Sequence, residues 1–297
     1  MSPPTIFTTT VHPFPSPTAH ACAYESGLPD ATNALVFIGG LGDGPHTVPY
    51  PRAIAAHLES EQPELSYSVF EFRLKSSFHG FGFCRLQDDV ADISALVHYL
   101  RLIGKKRVVL MGHSTGSQDC MEYTDPAHEA APVDGYILQA PACDADALAI
   151  DIGKEKLDAS IRAAKELIDS GKKHERMPAD HLPHFFQDTP ISAWRWYALG
   201  APDGEDNYFS PDLTDDVASQ YWKRVDKPLL ILHSGKDEFV PESVDKESLV
   251  KHWKTLCRSG IASDLSGAIP GAGHRVEEPE SEEWLCKTVI DFLKSIG

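Results

Sequence analysis

Basic residues are scarce in this chain: 27 Lys and Arg stand against 44 Asp and Glu in 297 residues, a formal net charge of −17 at pH 7. A surface of that sign repels nucleic acid and anionic membranes, so neither is expected as a partner. No stretch approaches the ~18 apolar residues that a membrane-spanning helix requires. The first twenty residues carry no basic cluster leading into an apolar run, so no secretory signal is expected and the cytoplasm is the expected location. The six cysteines (Cys22, Cys84, Cys120, Cys143, Cys257 and Cys286) include no C-x-x-C pair. Scattered over a chain this long, they read as reduced thiols rather than a disulfide or zinc framework, and no metal or other cofactor is expected. Internal repeats and low-complexity runs are also missing. What remains is ordinary globular composition, 42% hydrophobic and 24% charged, enough for a sizeable core in one α/β domain carrying an insertion.

Strand-like and helix-like segments alternate along the chain. TIFTTTV (5–11) and HACAYES (20–26) read as opening strands, separated by turn signals at Pro13, Pro15 and Pro17. ALVFIG (34–39) is a short apolar run ending in glycine, as a buried parallel strand does. YPRAIAAHLE (50–59) predicts a helix and YSVFEFRL (67–74) the next strand. Leu86, Val90, Ile93, Val97 and Leu100 recur at helical spacing over 85–103. RVVLMG (107–112) predicts a strand, Thr115 to about Tyr123 a helix, and GYILQAP (135–141) a sixth strand. The rhythm then breaks. Residues 144–215 hold one evident helix, 154–170, and then HLPHFFQDTPISAWRWYALG, rich in aromatics and histidine. Alternation resumes with PLLILHSG (228–235), a helix over 243–257, LSGAI (265–269) and a final helix bearing Leu285, Val289, Phe292 and Ile296. The pattern predicts a mostly parallel eight-stranded sheet with helices on both faces, built from 1–143 and 216–297, with 144–215 inserted as a helical cap.

Gly112-His113-Ser114-Thr115-Gly116 is a G-x-S-x-G pentapeptide lying between a predicted strand and a predicted helix. That context is what the α/β-hydrolase nucleophile turn requires: small residues let the backbones crowd together, and the serine hydroxyl is presented at the carboxyl edge of the sheet. Serine is a weak nucleophile and needs a base, which itself needs orienting. In this fold the partners follow in the order serine, acid, histidine, each at a strand end. Asp237 follows the LLILHSG strand, with Glu238 as its rival, and His274 lies in the glycine-containing loop after the last strand. Oxyanion donors are expected from the backbone N–H groups of Thr115 and Leu41, the latter in the turn GGLGDG (39–44), with Gly40 as the neighbour that could take its place. Gly40, Phe78, His79, Phe81, Trp194 and Trp196 are the candidates for substrate contact. The aromatics Phe185, Phe186, Trp194, Trp196 and Tyr197 either line a roomy pocket or form the small core that holds the cap down. His79 and Asp119 read first as solvated or structural polar residues.

FIGGLGDG (37–44), LKSSFHGFGFCRLQDDVADI (74–93), LMGHSTGSQDC (110–120), NYFSPDLTDD (207–216) and HSGKDEFVP (233–241) together resemble a fungal α/β-hydrolase family catalogued as a domain of unknown function. The S-S-x-x-G-[FW]-G element at Ser76–Gly82 and the Y-F-S-P-D-L element are the more specific marks. Phe78 and Phe81 stand where the family often has tyrosine and tryptophan. Members include intracellular siderophore esterases, so the resemblance implies hydrolysis of fusarinine C or its triacetylated form, with any iron arriving as part of the substrate. A general carboxylesterase, thioesterase or serine peptidase would use the same triad, since the triad fixes acyl transfer and not the acyl group. A non-catalytic binding protein that kept the fold is the reading from another class, disfavoured because all three triad residues are present.

Overall fold

The computed structural model describes residues 6–28, 30–61 and 65–297. Eight strands, β1 (Thr10–Pro13), β2 (Cys22–Gly27), β3 (Asn33–Ile38), β4 (Tyr67–Phe72), β5 (Arg107–His113), β6 (Gly135–Gln139), β7 (Leu229–Ser234) and β8 (Gly267–Ile269), form one sheet. Their spatial order is β1-β2-β4-β3-β5-β6-β7-β8. Only β1 and β2 run antiparallel to their neighbours; every pairing from β4 to β8 is parallel.

The central strands read as unbroken apolar runs because both faces are covered. Ala34, Val36 and Ile38 of β3 point to one side with Val108 and Leu110 of β5 and Ile231 of β7. The helices covering that side are α2 (Leu86–Leu102), α3 (Thr115–Tyr123), α7 (Asp215–Trp222) and α8 (Lys246–Leu256). The alternate residues, Leu35, Phe37, Val109, Met111, Leu230 and Leu232, point to the opposite side. There α1 (Tyr50–Ser60) and α9 (Pro279–Ser295) cover them. Full burial of each such side chain contributes about 1.5–3 kcal/mol, so a one-residue slip of any central strand would forfeit several of these together.

Between β6 and β7 the chain forms α4 (Asp144–Ile152), α5 (Lys154–Asp169) and α6 (Ala193–Gly200), which share a third apolar cluster with Phe81 and Phe186. Trp196 is fully buried there, its indole N–H donating to Ser160 Oγ at 2.9 Å. Arg195 of α6 donates from Nε to the Phe81 carbonyl at 3.0 Å, which joins this layer to the segment after β4, and from Nη1 to Asp206 Oδ2 at 2.6 Å, both partners of the ion pair being buried.

Most predicted elements recur with ends shifted by a few residues, and two differences stand out. The sequence predicts an opening strand over 5–11; Thr5 lies outside the described residues, and β1 begins only at Thr10. Its register on β2 runs from Thr10↔Glu25 to Pro13↔Cys22. Residues 144–215 hold more helix than expected. In α4 only Leu148 is buried, so there is no apolar face for periodicity to reveal. All six cysteines are free, and among the described residues no helix is long and apolar enough to cross a membrane.

Candidate active site

Ser114 sits at the turn between β5 and α3 with φ 52° and ψ −124°, a conformation that costs a non-glycine residue free energy. The turn is compressed around it. A Cβ on Gly112 would lie 2.1 Å from the Gly116 carbonyl oxygen, and one on Gly116 would lie 2.3 Å from that of Ile38. No other residue fits at either position without moving backbone. The Ser114 N–H donates to the Gln139 carbonyl at 2.9 Å, which ties the turn to the end of β6.

His274 and Asp237 come from the loops after β8 and β7 and are both buried. The imidazole Nδ1–H donates to Asp237 Oδ2 and Oδ1 at 2.9 and 3.0 Å. The Phe239 N–H donates to Oδ1 at 3.0 Å. Burial alone would push the Asp237 carboxyl up, but the His274 hydrogen bond and charge, with the Phe239 N–H, outweigh it and hold the group below the usual carboxylate range. The pair therefore keeps an ionised carboxylate on Nδ1 and leaves Nε2 to accept a proton. Glu238, the rival acid, does something else: its Oε2 accepts the backbone N–H of His274 at 2.9 Å, holding the loop rather than the ring.

Behind the imidazole lies a buried polar hub. Gln139 donates to Ser234 Oγ at 3.0 Å and to the His274 carbonyl at 3.5 Å, while its Oε1 accepts from the Tyr50 hydroxyl at 2.8 Å and from His113 Nδ1–H. The His113 and His274 rings lie 4.9 Å apart. Burial, then the neighbouring His274, push His113 down to about 3, so it is neutral at physiological pH.

Two backbone donors face the same space. The Gly40 N–H is already bound to Asp43 Oδ2 at 2.9 Å. Among the described residues, the N–H groups of Leu41 and Thr115 have no acceptor within the protein, the second because it opens a helix. The loop approaches the serine closely: a Cβ on Gly40 would lie 2.8 Å from Ser114 Cβ. Asp43 braces it further, accepting from Thr47 Oγ1 at 2.8 Å and from Arg275 Nη1 at 3.3 Å, so the Leu41 loop and the His274 loop are joined by an ion pair.

These residues surround one cavity of about 280 Å³, lined by Gly40, Leu41, Asp43, His113, Ser114, Thr115, Ala142, Asp144, Ala147, Leu148, Phe185, Phe186, Leu199, Phe239, His274 and Arg275. Ser114 and His274 both line it and share no hydrogen bond there; such bonds often tighten only when substrate binds. Of the six residues expected to touch substrate, Gly40 alone lines the cavity. Phe78 is half exposed at φ 60°, its ring against Gly44, and His79 bonds Thr189 at 3.0 Å. Phe81 and Trp196 are buried in the third cluster, and Trp194 lies under the Arg85 guanidinium at 5.2 Å. The aromatics that do reach the cavity are Phe185, Phe186 and Phe239. Asp43, His113, Gln139, Asp144 and Arg275 carried no sequence signal for the site beyond adjacency to its motifs. No group of three or more His, Cys, Asp or Glu among the described residues is arranged to hold a metal ion.

Residues 1–294 match the family described as "Protein of unknown function (DUF1749)". The UPF0613 protein PB24D3.06c of Schizosaccharomyces pombe is 35% identical over 279 residues, covering 88% of this chain and 87% of that protein. The fusarinine C esterase sidJ of Aspergillus fumigatus is 29% identical over 321 residues, covering 89% of each. Among solved structures, the siderophore hydrolase EstB from Aspergillus fumigatus matches with a TM-score of 0.82 and 26% identity over 100% of both chains.

Proposed function

This chain belongs to the DUF1749 family and has the α/β-hydrolase fold, and from that premise we propose that it is a serine esterase that opens fusarinine-type hydroxamate siderophores. The observation that carries the reading is the conjunction at one cavity: a strained Ser114, a His274 fixed by an ionised Asp237, and the unpaired N–H groups of Leu41 and Thr115. The substrate class rests on the relatives named as a fusarinine C esterase and a siderophore hydrolase.

His274 Nε2 takes the hydroxyl proton as Ser114 Oγ attacks the ester carbonyl carbon. The carbonyl oxygen becomes an oxyanion and accepts from the Leu41 and Thr115 N–H groups. Asp237 stabilises the imidazolium and holds its tautomer. The tetrahedral adduct collapses, and the leaving alkoxide departs with the proton from His274. Water then repeats the sequence on the acyl-enzyme, releasing the acid and restoring Ser114. Ferric or iron-free fusarinine C and its triacetylated form are the substrates we assign; opening their esters would weaken the chelate and release iron in the cytoplasm. Residues 144–215 form the cap over this site, with Phe185 and Phe186 against the ligand and Trp196 holding the cap together.

Mass spectrometry of the products from fusarinine C, triacetylfusarinine C and a short-chain p-nitrophenyl ester tests this. Opening of the siderophores to linear and monomeric hydroxamates, lost in Ser114→Ala, is the expected result. Cleavage of the simple ester alone would keep the esterase and remove the siderophore assignment.

A further inference from the structure

Asp144 opens α4 and lines the same cavity as Ser114. One of its oxygens is fixed: Oδ2 accepts from Gln118 Nε2 at 2.7 Å, and Gln118 stands one helical turn beyond Ser114 on α3. The carboxylate is thus held at a set distance from the nucleophile by the helix that carries it. It has no ion-pair partner among the described residues. The nearby Arg195 is committed to Asp206 at 2.6 Å and to the Phe81 carbonyl at 3.0 Å. Arg275, across the cavity, is committed to Asp43 and to the Thr47 carbonyl. The fixed cations around the cavity are therefore already matched, while Asp144 is not.

A second, independent feature lies beside it. Thr115 lines the cavity with only 6% of its surface exposed, and its hydroxyl has no hydrogen-bond partner. Gln118 is 1% exposed, and its Oε1 is likewise unpartnered. Of the two, Thr115 lines the cavity, and leaving its hydroxyl unmatched costs free energy that a ligand donor there would recover. Leu148, Phe186 and Leu199 make the adjoining wall apolar.

We propose that Asp144, with the Thr115 hydroxyl, forms a subsite for a primary ammonium carried on an aliphatic arm of the ester substrate. This rests on the esterase reading above and names a substrate feature that the triad alone does not select. An ammonium offers donors and no acceptor, matching a carboxylate oxygen and a hydroxyl. Its alkyl stem suits the apolar wall. Burial, then the neighbouring Asp206 carboxylate, push Asp144 up to about 7 against the pull of Arg195 and Gln118. A cation seated there would hold the carboxylate ionised.

The test compares p-nitrophenyl 6-aminohexanoate with its N-acetyl counterpart. The unmodified enzyme is expected to favour the amine in kcat/KM by about 10–100-fold, the worth of a charge-assisted hydrogen-bonded contact. In Asp144→Asn, whose amide still accepts from Gln118, that ratio is expected to fall toward one. An unmodified enzyme that cleaves both esters equally overturns the subsite and leaves the esterase reading intact. An Asp144→Asn variant that loses both activities in the same proportion assigns Asp144 to the packing of α4 and also overturns it. On the unmodified enzyme, n-hexylammonium should compete with the acetylated ester about tenfold better than 1-hexanol or more; equal inhibition constants overturn the proposal without any variant.

Discussion

Gly40→Ala is the smallest change that separates catalysis from folding in this site. The new methyl would sit 2.8 Å from Ser114 Cβ and 3.2 Å from the His113 carbonyl oxygen. Carbon atoms in contact prefer about 3.5–4.0 Å, so the loop and the serine must part by roughly 0.7–1.2 Å. Gly40 is not in the left-handed region, so alanine adds no backbone strain there. The Asp43 bond to its N–H also survives. Overpacking of this kind costs about 1–3 kcal/mol of stability, which a domain of this size survives. A displacement near 1 Å between nucleophile and oxyanion donors costs about 100-fold in rate. Steady-state kinetics on a p-nitrophenyl ester, with urea unfolding as control, should show kcat down by that factor in a folded protein, with KM changed far less. A kcat within twofold of the unmodified enzyme would refute the argument that Leu41 N–H and Ser114 Oγ work as one rigid unit.

Other consequences follow from the same geometry. Asp237→Asn should lower kcat by about 10⁴, because an amide no longer enforces the productive His274 tautomer; stopped assays of ester hydrolysis measure it, and a loss under tenfold would reassign the acid. Arg195→Met should destabilise the protein by about 3–5 kcal/mol in urea unfolding, because Asp206 would be left buried and uncompensated. Asp119 is fully buried beside Asp89 and Asp206 with one carboxyl oxygen unpartnered, and burial, then those charges, raise it well above the usual range. A raised folded value means the native state holds a proton that the unfolded chain gives up above about pH 4, so this group's contribution falls as pH rises. Asp119→Asn should therefore raise stability at pH 7 more than at pH 4; the opposite trend in unfolding midpoints would refute the neutral assignment.

The residues legible in the sequence are those whose constraints are local. Gly112 and Gly116 must be glycine because of atoms within a few residues of Ser114 or at the end of the adjacent strand, so a five-residue pattern between strand and helix exposes the turn. Asp237 and His274 sit directly after strands whose apolar runs are plain. The aromatics carry no such local constraint. Trp196 turns inward because Ser160, on another helix, accepts its indole N–H, whereas Phe185 and Phe186 turn toward the cavity; composition is the same in both cases. The α4 helix is not legible in the sequence because one buried side chain leaves no periodicity. Asp144 and Gln139 acquire meaning only through partners brought from other strands and helices.

The central claim is that Ser114 carries the acyl group. Rapid acid quench of the enzyme with p-nitrophenyl acetate, followed by peptide mass mapping, tests it directly. An acetyl group on Ser114, forming within the burst and absent after slow turnover is complete, is the predicted result. Acetyl on any other residue, or a full burst from Ser114→Ala, would contradict the account.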